Sequence, residues 1–69
     1  MIEVFKTNVE TAGDANNIVQ LLLQRFPGSR INFDLLDCDK ILRVEGKNFC
    51  SETIILLMKE KGFHCSILE

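Results

Sequence analysis

A chain of 69 residues has room for one domain and one core, because at this size only about 60% of the surface exposed by the unfolded chain is buried on folding. Eight basic and ten acidic residues leave a net charge of -2, with the signs interspersed from Glu3 to Glu69. Without a basic stripe, and with no Tyr or Trp, nucleic-acid binding is set aside as a function.

An apolar fraction of 46% with 26% charged residues is that of a globular domain rather than a disordered segment. Apolar runs such as Ile54 to Met58 fall far short of the ~20 residues that cross a bilayer, so no membrane span is expected. The opening stretch Met1 to Lys6 lacks a basic region leading into an apolar one, which predicts no signal peptide and a cytoplasmic protein. Three cysteines, Cys38, Cys50 and Cys65, are odd in number and widely spaced. They read as free thiols, not a disulfide framework.

In chain order, Ile2 to Asn8 alternates in the manner of a strand. Thr11 with Asp14 three residues on is a capping pattern, and Ile18, Val19, Leu21, Leu22, Leu23 and Phe26 form a broad apolar stripe at helical spacing. A helix is predicted over about Ala12 to Phe26, stopped by Pro27-Gly28. Ile31, Phe33 and Leu35 alternate with polar neighbours, as do Leu42 and Val44, so two strands form a hairpin around Asp37 to Asp39. Asn48 is the expected N-cap of a second helix carrying Ile54, Leu57, Met58 and Lys61 on one face. Gly62 is placed for a left-handed C-terminal cap. A last strand, Phe63 to Leu68, follows, with Cys65 and Ile67 expected to point inward and His64 and Ser66 toward the open face. The order βαββαβ predicts an α+β ferredoxin-like sandwich, a four-stranded antiparallel sheet with two helices on one face. That topology brings the first βα loop, the hairpin and the Gly62 loop to one end.

The element order, Val4-Phe5-Lys6-Thr7-Asn8-Val9 before the first helix, Asp39-Lys40-Ile41-Leu42-Arg43-Val44-Glu45-Gly46 in the hairpin, and Gly62-Phe63 after the second helix resemble the heavy-metal-associated (HMA) family of copper chaperones and metal-ATPase modules. The resemblance covers nearly the whole chain and implies the same fold. It also implies a Cys-x-x-Cys in the first βα loop, whose thiolates hold a soft ion such as Cu(I). Those positions fall on Thr11 and Asp14 here. A hydroxyl and a hard carboxylate do not replace two thiolates, so the family's metal transfer is not expected.

Thr11, Ala12, Gly13 and Asp14 therefore read first as a helix cap, with Gly13 a flexible point. Cys38, with His64 or Cys65, is the alternative soft-metal set, although the spacing matches no ligand pattern. Cys65 reads more simply as a small buried hydrophobe. Cys50 lies near a helix start, where a thiol pKa can fall, but has no neighbouring base or resolving cysteine. With one His, no nucleophile elbow and no phosphate loop, no enzyme activity and no cofactor are expected. Five consecutive apolar residues, Ile54 to Met58, cannot all be buried by one helix. Ile55 and Leu56 are thus the candidate surface for a protein partner or self-association, with strand addition at a sheet edge as a second route. The expected function is a non-catalytic interaction or regulatory module; an atypical metal binder and a small-molecule sensor rank behind it.

Overall fold

The computed structural model describes residues 1–69. Strands β1 (Ile2–Thr7), β2 (Arg30–Asp34), β3 (Ile41–Glu45) and β4 (Cys65–Ile67) and helices α1 (Ala12–Arg25) and α2 (Ser51–Glu60) follow one another as β1-α1-β2-β3-α2-β4. All strand pairings are antiparallel and the sheet order is β2-β3-β1-β4, the α+β ferredoxin-like arrangement. The expectation of that fold holds. No helix is long and apolar enough to cross a membrane.

The register shows which sheet face the helices cover. Phe5 stands opposite Leu42 on one side and Ile67 on the other, Glu3 opposite Val44, and Ile31 opposite Val44. Side chains alternate along a strand, so Phe5, Ile31, Leu42 and Val44 share one face. They join Ala15, Ile18 and Leu22 of α1 and Ile54 and Met58 of α2 in a single buried cluster. The opposite face carries Lys6, Arg30, Asn32, Asp34 and Arg43, all exposed. Val9 and Phe49, buried at 0% and 8% exposure, extend the core from the loops ahead of α1 and α2.

Boundaries differ from expectation where local chemistry wins. The N-cap of α2 is Cys50, not Asn48; the helix starts two residues later because Phe49 is drawn into the core. Helix α1 ends at Arg25, with Phe26 as its cap and the Phe26 N–H donating to the Leu22 carbonyl at 2.7 Å. Gly62 takes φ +88 as expected of a left-handed cap, and the Phe63 N–H closes the turn onto the Met58 carbonyl at 2.9 Å. Strand β4 is only three residues long. Ile67 belongs to the helix-facing side by register yet remains 42% exposed at the sheet edge, a correction to its expected burial.

Leu22 is fully buried and Leu36 is 99% exposed, so the two leucines test the placement of the core. Leu22→Ala should lower the unfolding free energy by about 2–5 kcal/mol through lost burial and a residual cavity. Leu36→Ala should change it by less than about 0.5 kcal/mol. Chemical denaturation of both variants checks this; equal losses would contradict the assigned core.

Candidate functional site

Three loops meet at the end of the molecule where β1 finishes, and one buried threonine ties two of them to the strand. The Thr7 N–H donates to the Asp39 carbonyl at 3.0 Å. Its hydroxyl donates to the Lys40 carbonyl and accepts from the Val9 N–H at 3.2 Å. Asn8 continues the stitching: its Oδ1 accepts from the His64 N–H at 2.9 Å. The first βα loop, the β2–β3 hairpin and the segment after Gly62 are thus held together by hydrogen bonds, as the topology requires.

Within this end, Thr11 and Asp14 form the cap that their spacing suggests. Thr11 is extended, its Oγ1 accepts from the Asp14 N–H at 3.1 Å, and Asp14 lies in the first turn, where its charge opposes the positive helix end. Ala12 and Gly13 are the first residues of α1 rather than a loose loop. A Cβ built on Gly13 meets nothing within 4 Å. A hydroxyl engaged with a backbone amide beside an exposed carboxylate does not fit a soft ion such as Cu(I).

The hairpin is organised by its acids. Asp34 Oδ1 accepts from the Leu36 N–H at 3.2 Å and Asp37 Oδ1 from the Asp39 N–H at 2.9 Å, the local bonds that make Asp a turn former. Lys40 closes the turn at φ +47, held by its own N–H on the Asp37 carbonyl and its Nζ on the Leu35 carbonyl, both at 3.0 Å. These bonds fold the acids back around Cys38, and the ligating atoms of Asp37, Cys38 and Asp39 lie within 4.8 Å of one another. Neither His64 nor Cys65 joins that group. Lys6 Nζ stands 3.9 Å from Asp39 Oδ1 and already compensates part of its charge.

The cysteines have diverged in chemistry. Cys38 and Cys50 are exposed and Cys65 is half-buried. Burial pushes the Cys65 thiol up to about 11. The Thr53 hydroxyl, then its backbone amide, lowers that of Cys50 at the start of α2. His64 is exposed beside Ile55, Lys59 and Phe63 in a shallow depression. On α2, Leu56 is 57% exposed, whereas Ile55 is half-buried and packs against the core. Of the two candidate surface residues, Leu56 is the freer.

A second concavity, at the opposite end, was not signalled by any motif. It is a cleft of about 670 Å³ between the Phe26–Arg30 and Glu45–Asn48 segments. Arg25 and Arg30, flanking the α1–β2 loop, and Lys47, from the β3–α2 turn, all line it, and the fold brings those two loops together. Comparison of the chain with protein-family models, with curated proteins and with solved structures finds no match.

Three measurements check this geometry. Thr11→Ala should cost about 1 kcal/mol as a lost cap and Thr7→Val about 1–3 kcal/mol, because the Lys40 carbonyl and Val9 N–H lose a buried partner; denaturant titration of both reads the difference. The thiols should alkylate in the order Cys50 first and Cys65 last, followed by peptide mass spectrometry. Because the Cys65 thiol is raised in the folded state, the unfolded chain ionises first. Its contribution to stability should therefore be intact below about pH 9 and lost as pH rises toward about 11. A Cys65→Val variant should lack that part of the alkaline loss.

Proposed function

We propose that this chain is a non-catalytic protein-interaction or regulatory module of the HMA type, in which the metal loop has become a helix cap. The carrying observation is the cap itself: Thr11 Oγ1 is engaged by the Asp14 amide at the two positions where the family places its thiolates. Support for an interaction surface comes from the side formed by α2 and β4. Leu56, Ile67 and Leu68 are 57%, 42% and 39% exposed, and β4 is hydrogen-bonded on one side only, to β1. An open strand edge beside apolar side chains suits strand addition by a second chain. The other edge, β2, carries exposed Arg30, Asn32 and Asp34 and is guarded by charge in the usual way.

Self-association across β4 is the most direct form of this function, since a second copy supplies the same apolar side chains to cover. At about 0.5 mM a contact worth about 4 kcal/mol already populates a dimer. Sedimentation velocity should show concentration-dependent dimerisation that Leu56→Asp abolishes while leaving the circular dichroism spectrum unchanged. A monomer at that concentration, or a dimer indifferent to Leu56→Asp, would overturn this use of the surface.

A further inference from the structure

The cleft at the end opposite the hairpin collects positive charge on a chain whose net charge is -2. Arg25 closes α1, Arg30 opens β2, and Lys47 lies in the turn between β3 and α2. Arg30 and Glu45 are register partners, which sets the two loops side by side. The loops also touch: a Cβ on Gly46 would stand 2.8 Å from Ser29 Oγ, so glycine there lets the walls approach. The cleft is open to solvent and lined mostly by polar residues, with a volume of about 670 Å³, room for a small polar group.

None of the three cations is neutralised by the protein. The ion pairs of the molecule are Lys6 with Asp39 and Arg43 with Glu45. Glu45, the one carboxylate lining the cleft, stands opposite Arg30 in the register and 4.0 Å from Arg43, so three cations face one carboxylate. The amides of Gly28, Lys47 and Asn48, all residues of the cleft, donate to no backbone carbonyl. Cations lining a cleft beside amides without backbone partners are the elements of an anion site. Guanidinium forks match phosphate oxygens in pairs and a lysine adds a point charge. Half-buried Phe26 lines the same cleft and supplies apolar contact for the remainder of a ligand.

We infer that the cleft between the Phe26–Arg30 and Glu45–Asn48 segments binds the phosphate group of a small phosphorylated molecule, through Arg25, Arg30 and Lys47. This site lies away from α2–β4 association and does not depend on it. The test is amide NMR titration of the full chain with sodium pyrophosphate at fixed ionic strength, with citrate in parallel. Saturable shifts confined to residues 25–30 and 45–48 are expected. Arg30→Gln and Lys47→Gln should each weaken binding about tenfold or more, with Lys59→Gln unchanged. Their well-dispersed spectra would verify that these exposed substitutions leave the fold intact. The inference is overturned by an absence of saturable shifts, by equal shifts at Lys59 and Lys61, by affinity unaltered in both cleft variants, or by citrate binding as tightly as pyrophosphate.

Discussion

Everything in this small domain hangs on the burial of one face of β1. Phe5 is fully buried at the centre of that face, opposite Leu42 on one neighbour and Ile67 on the other. A sheet with one apolar face must cover it. Here the cover is Ala15, Ile18 and Leu22 from α1 with Ile54 and Met58 from α2. Since β1 is internal, its C-terminal end is also where neighbouring loops must be secured. Thr7 performs that task two residues from Phe5, on the same face, by engaging Lys40 and Val9. Packing and loop geometry are therefore linked through a single strand.

The same linkage explains what the loop end can do. A helix that begins directly after this strand needs its free amides satisfied. Thr11 does this and Asp14 adds a favourable charge, leaving no soft donor at the helix start. The thiols sit elsewhere and in different surroundings: Cys38 among the hairpin acids, Cys50 ahead of α2, Cys65 against the core. Chemistry on this molecule is dispersed, and so are its exposed apolar side chains: Leu56 on α2 and Ile67 and Leu68 at the C-terminal edge, but also Met1 and Ile2 at the start of β1 and Leu36 in the hairpin. At the other end, Arg25, Arg30 and Lys47 line one cleft that holds a single carboxylate, Glu45, and none of the three is ion-paired.

Most of the fold was legible in the residue pattern because its signals are local. The stripe from Ile18 to Leu22, the alternation of Ile31 with Phe33 and of Leu42 with Val44, the Thr11 cap and the Gly62 turn each depend on residues within a few positions of one another. Val9 and Phe49 carry no periodicity, so their burial, and with Phe49 the shift of the α2 cap to Cys50, emerge only from tertiary packing. Ile67 looked buried by alternation, but alternation gives a face and not its cover, and β4 is an edge. The grouping of Cys38 with Asp37 and Asp39 rests on the hairpin bonds of Asp34 and Asp37, which spacing alone does not show. The basic cleft needed the Arg30 to Glu45 register, which no spacing in the chain encodes.

The proposal that a helix cap stands where an HMA-type loop would hold metal is decided by native mass spectrometry of the reduced protein. After addition of Cu(I) or Zn(II), wild type and Cys38→Ser should both retain no stoichiometric metal. One ion held by wild type and lost from Cys38→Ser would contradict that claim and move the metal site to the Asp37-Cys38-Asp39 hairpin.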